Sequence, residues 1–349
     1  MASQAKVVRR SFSEGGLTLT SSSLHQKVRR TIRKHGLCPP GARVLVGLSG
    51  GSDSIALTLL LLDLAEYGGF SVISLAHLNH RLRESAGRDE EFCRDFAQRH
   101  RLGIVVESVD VQTYARTEKL SREDAARRVR YTFLERTAAD LDASRIAVGH
   151  TEDDQAETFL LKLMRGAGLT GLAGIYPRRG MVVRPVLEAT RLELREYLRS
   201  RGEMWVDDET NEDLDNPRNR IRHRVLPELD RAAGAATRPA IARAAGLIRE
   251  DGQWLDEVAA ARFEALGSAT ADGMELDATR LAAEPAAILR RVLLRAMRQT
   301  AGGREIGLDH ADAVMALLGS GEGGVDVPGT RVELRRGKLV LMQQKVSTK

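Results

Sequence analysis

A serine- and glycine-rich hexapeptide, SGGSDS at residues 49–54, stands between an apolar run and a Leu-rich segment. Glycines let the backbone turn sharply and approach a ligand, and hydroxyls beside the N–H groups of a helix start attract anions. The hexapeptide lacks the endings of a Walker A loop and of a GxGxxG loop. A strand-to-helix turn capped by Ser or Asp is the alternative. We predict a phosphate-binding loop made of Ser49, Gly50, Gly51, Ser52, Asp53 and Ser54.

A second polar segment, GHTEDDQAET at residues 149–158, places several carboxylates at another predicted helix start. Carboxylates stabilise a helix N-terminus by themselves, which is the structural alternative. Next to a triphosphate they also offer Mg²⁺ ligands and a pocket for an ammonium group. We favour this second interpretation.

Two further segments carry side chains suited to a nucleotide or to RNA. His77 and His80 follow an apolar run but have no third ligand at a spacing typical of zinc, so we interpret them as polar lining of a nucleotide site. In the segment 121–134, Arg127, Arg130 and Tyr131 share one helical stripe, which suits contacts to phosphates or bases. An ion-paired helix face is the alternative for that stripe.

The elements that must position these residues alternate along the first part of the chain. Apolar runs predict strands at 44–48, 72–76, 104–109 and 146–148. Helical spacing predicts helices at about 24–35, 54–66, 86–100 and 121–140. This alternation predicts an α/β fold with a doubly wound parallel sheet. The polar segments fall at or just after strand ends, where such sheets bind ligands, so we expect a single site.

The rest of the chain divides into smaller pieces. Residues 1–22 are rich in Ser, Gly and Arg and predict a flexible extension. We expect a catalytic domain at 23–230, a helical domain at 231–320 and a small strand pair at 321–349, where Val332, Leu334, Leu339 and Leu341 flank an Arg-Arg-Gly-Lys turn.

Composition narrows the class of protein. The 349 residues include two cysteines, Cys38 and Cys93, too few for a disulfide scaffold or a four-cysteine zinc site. No apolar stretch is long enough to span a bilayer and no signal peptide is recognisable, so we expect a cytoplasmic protein without membrane contact. The net charge of +5 is uneven: +7 in residues 1–35, +5 in 331–349 and −7 in the remainder, a pattern that suits a polyanion held at the periphery.

Taken together, these segments resemble the tRNA(Ile)-lysidine synthetases, a family of N-type ATP pyrophosphatases with a PP-loop. The resemblance covers about residues 24–230 in order, and Val186 departs from it where Leu is usual. The matching pieces are SGGSDS, HLNHRLR at 77–83, the E-x-x-A-R-x-x-R-Y pattern from Glu123 to Tyr131, GHTEDDQAET, the run 164–172, Arg184-Pro185, the run 208–211, NPRNRIR at 216–222 and Leu226-Pro227.

The resemblance implies ATP-dependent joining of L-lysine to C2 of the wobble cytidine in an isoleucine tRNA with the anticodon CAU. It implies ATP as co-substrate, Mg²⁺ held by Asp53 and Asp154, and tRNA contacts in the helical domain; a homodimer is one option that the sequence leaves open. By resemblance, the catalytic residues are Asp53, His150, Asp154, Glu157 and Arg218. His77 joins the loop residues in binding ATP, and the residues that contact tRNA or substrate are Arg83, Arg127, Arg130, Arg220 and Arg222.

Three other functions remain as alternatives. A PP-loop tRNA cytidine thiolase needs cysteine pairs for sulfur or an iron–sulfur cluster, and Cys38 and Cys93 do not form such a pair. A non-catalytic tRNA-binding relative is disfavoured by the complete set of site residues. An enzyme that amidates a small molecule is disfavoured by the basic ends and by the arginine run at 218–224.

Overall fold

The computed structural model describes residues 19–80, 86–207, 214–234 and 236–344 of the chain. Their contacts divide them into two compact units. The first contains the described residues up to Ala167 and Gly174–Ala245, and the second contains Gly168–Ala173 and the described residues from Gly246 onward. Within the described ranges, no helix combines the length and the apolar character needed to cross a bilayer.

Six strands form the sheet of the first unit: β1 (Arg43–Gly47), β2 (Ser71–Asn79), β3 (Ile104–Ser108), β4 (Arg145–Ala147), β5 (Arg178–Arg179) and β6 (Val182–Val183). Their spatial order is β3-β2-β1-β4-β6-β5, and all pairings are parallel except the one between β5 and β6. The predicted parallel sheet is confirmed. The short β5–β6 hairpin was not predicted.

The helices of the described residues are, in chain order, α1 (Leu19–Lys34), α2 (Ser52–Gly68), α3 (Ala86–Arg99), α4 (Val111–Glu118), α5 (Arg122–Asp140), α6 (Glu152–Met164), α7 (Leu169–Leu172), α8 (Arg191–Ser200), α9 (Pro217–Arg220), α10 (Leu226–Ala233), α11 (Thr237–Leu266), α12 (Ala278–Ala282), α13 (Ala286–Thr300) and α14 (Leu308–Ser320). A π-helical turn, Ile221–Val225, links α9 to α10. Helix α1 starts at Leu19, inside the extension predicted for 1–22, and residues 1–18 lie outside the described ranges.

The central strand β1 shows why the sheet is covered on both faces. Val44 and Val46 pack into one core cluster with the apolar side of α1, α2 and α8, whereas Leu45 packs into another with Phe133 and Ile146. Successive strand residues point to opposite faces, so an uninterrupted apolar run requires cover on both sides. The sequence VLV therefore determines a doubly wound arrangement.

The order of the strands creates one crevice. From β1 the chain moves outward through β2 to β3, and then returns to β4 on the other side of β1. Such a reversal separates the loops that follow the two neighbouring strands and opens a ligand crevice at their carboxyl ends. The loops after β1 and β4 are the two polar segments that the sequence singled out.

The second unit contains an antiparallel sheet that the sequence predicted only in part. Its strands are β7 (Gly267–Thr270), β8 (Gly273–Asp277), β9 (Gly323–Val327), β10 (Thr330–Arg335) and β11 (Lys338–Gln343), in the order β7-β8-β11-β10-β9. The strand pair around the Arg-Arg-Gly-Lys turn is present, and in it Val332 pairs with Leu341 and Leu334 with Leu339. The expected helical region and small C-terminal β element are present. The structure adds the strands β7 and β8 within the helical region, and β8 pairs with β11, so the strand pair is part of a five-stranded sheet.

Candidate active site

A cavity of about 610 Å³ opens at the crevice of the first unit. The carboxyl ends of β1, β2 and β4, the start of α6 and the first turns of α8 contribute to its walls. Among the residues that line it are Ser49, Gly51, Ser52, Asp53, Ser54, His77, Arg130, His150, Asp154, Arg191, Arg195, Arg218 and Arg222. The structure thus brings most of the residues predicted for the site into one space.

The predicted phosphate loop connects β1 to α2 through a turn that requires glycine. Gly50 has φ +87°, a left-handed conformation, and a Cβ there would lie 3.3 Å from Sγ of Cys93. Inside the turn, the Ser54 hydroxyl donates to the Gly51 carbonyl oxygen at 3.0 Å and accepts from the Ser49 N–H at 3.1 Å. No side chain caps the N-terminus of α2. Capping by Ser or Asp therefore does not explain this loop, and the helix start can receive an anion.

The loop after β4 lies against the phosphate loop. A Cβ on Gly149 would lie 3.0 Å from the Asp53 carbonyl group and 3.1 Å from the Ser54 nitrogen, so a side chain there would press on the backbone of the phosphate loop. Two residues later Thr151 caps α6, because its hydroxyl accepts from the Asp154 N–H while Oδ2 of Asp154 accepts from the Thr151 N–H at 2.8 Å. The capping box fixes Asp154 at the edge of the cavity.

The free oxygen of Asp154 meets arginines from two other segments. Its Oδ1 accepts from Nη2 of Arg191 at 3.2 Å and from Nη2 of Arg218 at 3.0 Å. Arg191 also donates through Nε to Oδ2 of Asp53 at 3.2 Å. One guanidinium therefore bridges the two carboxylates predicted to bind Mg²⁺. Two carboxylates that flank a single positive charge form a donor set that also fits a divalent cation, which commonly takes one or two carboxylates plus phosphate oxygens.

Glu157 lies deeper and is fully buried, with 0% exposure. Its Oε2 accepts from Nε of Arg218 at 2.7 Å, and its Oε1 accepts from Nε of Arg222 at 2.6 Å. Arg218 also follows a helix cap, since its N–H donates to Oδ1 of Asn216. The start of this arginine run is therefore a capped helix, and two of its arginines also pair with acidic residues of α6. A contact of the run with RNA phosphates or with the adenylate stays a prediction.

The charges in this cluster set the protonation states of the carboxyl groups. Burial alone would raise the pKa of Asp154, but Arg191 and Arg218 oppose it and hold the pKa at about 2. Burial dominates at Asp53 and raises its pKa, with the Asp154 charge adding to the rise and Arg191 opposing it. Asp154 is therefore an anion at every physiological pH, whereas the pKa of Asp53 lies above its usual value.

His150 follows Gly149 and lines the same cavity. Burial lowers its pKa to about 3, and the charges of Arg184, Arg218 and Arg130 act in the same direction. The imidazole is therefore neutral at neutral pH. Nε of Arg184, a residue that is 4% exposed, donates to Nδ1 of His150 at 3.1 Å. The guanidinium of Arg184 therefore holds the imidazole of His150 through a hydrogen bond to Nδ1.

His77 lies near the end of β2 and is 4% exposed. Its Nδ1 hydrogen-bonds to the Leu48 carbonyl oxygen at 3.0 Å, and its buried Nε2 has no hydrogen-bond partner within the described ranges. Burial lowers its pKa, so the ring is neutral. Since the carbonyl can only accept, Nδ1 carries the proton, and Nε2 is an acceptor at the cavity wall.

Other residues predicted to contact RNA lie in different places. Arg130 lines the cavity and is exposed, whereas the Arg127 guanidinium lies over the Tyr131 ring, 5.1 Å from its centroid. Arg220 donates to the carbonyl oxygens of residues 214 and 215 and is not among the cavity residues. Arg83 and the run 208–211 lie outside the described ranges.

Sequence reasoning missed two arginines of the site. Arg191 begins α8 behind a Thr190–Glu193 capping box, and the T-R-x-E spacing of that box was a local signal for the helix start. Arg184 was noted only as part of an Arg-Pro pair. Neither position predicts its partner, because the acidic residues and His150 come from segments at least 30 residues earlier in the chain.

Comparison with known proteins gives a consistent result. The sequence model of the PP-loop domain matches residues 21–229. A tRNA(Ile)-lysidine synthase from Symbiobacterium thermophilum is 39% identical over 331 residues, which cover 90% of this chain and 68% of the relative. The corresponding enzyme of Geobacter sulfurreducens is 39% identical over 299 residues, 84% of this chain and 63% of the relative. This chain thus spans about two thirds of the length of these relatives.

Among solved structures, the U34-tRNA thiolase of Methanococcus maripaludis has a TM-score of 0.56 and 16% identity, with 66% of this chain and 79% of that chain covered. At that identity the likeness concerns the fold alone. The sequence matches and the site geometry identify the group: the chain belongs to the PP-loop family and, within it, to the tRNA(Ile)-lysidine synthases.

Proposed function

We propose that this chain ligates L-lysine to C2 of the wobble cytidine of an isoleucine tRNA with the anticodon CAU, using ATP. The observation that supports the proposal is a cavity lined by both the phosphate loop and Asp154, with Glu157 buried behind it and paired to Arg218 and Arg222 of the cavity wall. A phosphate loop suits the triphosphate, and the acidic pair suits a substrate with two ammonium groups. The cytoplasm is the expected compartment for a reaction on tRNA.

The first step makes a leaving group. The O2 atom of cytidine attacks the α-phosphorus of ATP, the O2–P bond forms, and the bond to pyrophosphate breaks. The loop 49–54 holds the phosphates through its hydroxyls and the N–H groups at the start of α2. Asp53 and Asp154 would hold Mg²⁺, which screens the phosphate charge when it is bound.

The second step uses the acidic pair. The ε-amine of lysine attacks C2 of the adenylated cytidine, and AMP leaves. With a free pKa of about 10.4, roughly one amine in a few thousand is uncharged at neutral pH, so the proton must be removed. Asp154, with a pKa of about 2, is a counter-ion for ammonium groups rather than a base. His150, with a pKa of about 3, is equally unsuited to take the proton.

Lysine binding requires an exchange of partners. Asp154 and Glu157 already pair with Arg191, Arg218 and Arg222. An ammonium group can replace a guanidinium on these carboxylates only if the guanidinium finds another anion. The phosphates of ATP and of the tRNA backbone are such anions, so this arrangement favours lysine binding after the nucleotide.

The thiolase alternative is disfavoured by the state of the thiols. Cys38 and Cys93 are both buried, and burial raises the pKa of each thiol to about 12. The thiolate is the sulfur form that attacks and binds metal, so both groups are inert at neutral pH.

The decisive experiment incubates the protein with ATP, radiolabelled lysine and a CAU isoleucine tRNA transcript, followed by nuclease digestion. We expect the label in a single modified cytidine, dependent on ATP. A transcript with uridine at the wobble position is the matched control and should stay unlabelled. If ATP is cleaved with tRNA present but no lysine enters the nucleotide, the proposal is wrong and another nucleophile must be sought.

A further inference from the structure

Arg184 is a buried cation without a carboxylate partner in the part of the chain that the structure describes. Its side chain donates to three neutral groups: Nδ1 of His150 at 3.1 Å, the Tyr176 carbonyl oxygen at 2.7 Å and the Tyr131 hydroxyl at 3.4 Å. Removing a charge from water without an opposite charge beside it is unfavourable. Stability therefore does not explain why an arginine occupies this position.

The bond from Arg184 determines which nitrogen of His150 carries the proton. A guanidinium has only donors, so Nδ1 must accept. A neutral imidazole has one N–H, which is then on Nε2. A doubly protonated ring would place an N–H against the guanidinium N–H, so this contact also disfavours the charged form. The group that His150 can offer to the cavity is a hydrogen-bond donor.

We propose that Arg184 is a positioning residue that fixes His150 as the Nε2–H tautomer, so that the imidazole donates a hydrogen bond to an anionic oxygen of the reacting phosphoryl group. The inference rests on the proposed function for the identity of that group. His150 keeps its proton throughout: the O2–P bond forms, the bond to pyrophosphate breaks, and no proton passes through the ring.

The position of His150 supports this ligand. It directly follows Gly149, whose Cα approaches the backbone of Asp53 and Ser54 in the phosphate loop. Negative charge accumulates on the phosphoryl oxygens as the α-phosphorus changes partners. A donor that is already oriented costs no reorganisation at that moment, which is how preorganised sites stabilise a transition state.

The tautomer can be measured in the resting protein. A sample labelled with ¹⁵N-histidine gives long-range ¹H–¹⁵N correlations whose pattern distinguishes Nε2–H, Nδ1–H and doubly protonated rings. The His150→Gln variant assigns the signals by their loss. We expect wild-type His150 as the Nε2–H form, and a mixture of both tautomers in Arg184→Met. A wild-type ring with Nδ1–H, or with both protons at pH 7, would overturn the inference whether or not the protein modifies tRNA.

Kinetics supply the second readout. Arg184→Met should slow tRNA-dependent pyrophosphate release roughly 100-fold, the size of effect seen when one preorganised donor is lost. Arg184→Lys restores a cationic N–H donor and should regain at least ~10-fold of that loss, which a purely steric role would not predict. Arg249→Met, at another buried arginine, controls for removal of a buried charge and should release pyrophosphate at the wild-type rate. Wild-type turnover in Arg184→Met would also refute the inference.

Discussion

The two units of the molecule treat buried polar groups differently. At the carboxyl edge of its parallel sheet, the first unit buries Asp154, Glu157 and Arg184. Among the described residues of the second unit, the buried polar side chains are Arg249 and the Thr300–Thr330 pair, whose hydroxyls are 2.9 Å apart. Ion pairs in the second unit, such as Arg290–Asp312, include partners that are largely exposed.

This difference separates a unit with buried charged groups at a cavity from a unit whose buried interior is almost entirely apolar. Buried ionised groups cost free energy unless they are paired, and they concentrate where pKa values and substrates are controlled. The core of the second unit is apolar, with Val292, Leu293 and Leu339 fully enclosed. Substitutions of the buried charged residues in the first unit should therefore change the reaction, and substitutions in the apolar core of the second should change the free energy of unfolding.

The largest effect should follow from Asp53→Ala, which removes the carboxylate of the phosphate loop. We expect pyrophosphate release to fall by about 1,000-fold while tRNA binding is largely retained, because the side chain acts on charge at the phosphates. The matched control is Asp63→Asn on the same helix, where the carboxylate contacts His25 and Tyr197. Equal rates in the two variants would remove Asp53 from the chemistry.

Leu293→Ala tests the other side of the comparison. Leu293 is fully buried in α13, and its truncation should lower the free energy of unfolding by about 3 kcal/mol. Denaturation in urea measures that loss, and the folded protein should still release pyrophosphate at the wild-type rate. Arg290→Ala, which breaks a partly exposed pair, should cost less than about 1 kcal/mol. A slower release of pyrophosphate by folded Leu293→Ala would contradict the expectation that the core of the second unit affects stability alone.

Arg218→Ala should give an intermediate effect. It removes donors from both Asp154 and Glu157, so we expect lysine incorporation into tRNA to fall about 30-fold, in the range for loss of a buried charge-assisted pair. Labelled-lysine transfer measures it. Arg231→Ala is the control, since that arginine pairs with Glu228 on the exposed part of α10. Normal transfer in Arg218→Ala would leave helix capping as the sole role of this segment.

The smallest change per step of the experiment is that of stability with pH. The pKa of His150 is about 3 in the folded protein and 6.5 in the unfolded chain, so the unfolded state gains a proton first as the pH falls. His150 therefore lowers the free energy of unfolding between pH 6.5 and 3, by about 1 kcal/mol per pH unit because the ring keeps some solvent contact. Urea denaturation of His150→Gln between pH 6 and 4 should show a shallower slope than the wild type. Superimposable slopes would mean that the ring titrates normally.

Much of the first unit could be predicted because its signals are local. Within about ten residues, the run VLV predicts a buried strand and the hexapeptide after it predicts a phosphate-binding turn. The segment 149–158 likewise contains both a helix start and its carboxylates. Helix α4 was missed, although Asp110 caps it, because its eight residues carry a weak apolar pattern. Strand β8 was missed because its partner β11 lies some 60 residues later in the chain, and a short strand gains its stability from that partner.

The residues of the candidate site could be predicted only where they belong to a recognisable sequence motif. Asp53, His150, Asp154 and Glu157 belong to two motifs at strand ends, and sheet topology places such ends together. Arg184 and Arg191 have no such motif. Their role comes from contacts with segments distant in the sequence, and these contacts exist only after β6 pairs beside β4. The composition of the chain and the spacing of its residues therefore do not predict the contacts of Arg184 and Arg191.

The contact between Gly149 and the Asp53 carbonyl joins main chain to main chain. The spacing between the phosphate loop and the loop after β4 is consequently set by main-chain atoms and does not depend on the rotamers of the charged side chains around them. A single methyl group added at residue 149 would push these two loops apart by a few tenths of an ångström, even with every charged group in the pocket still present.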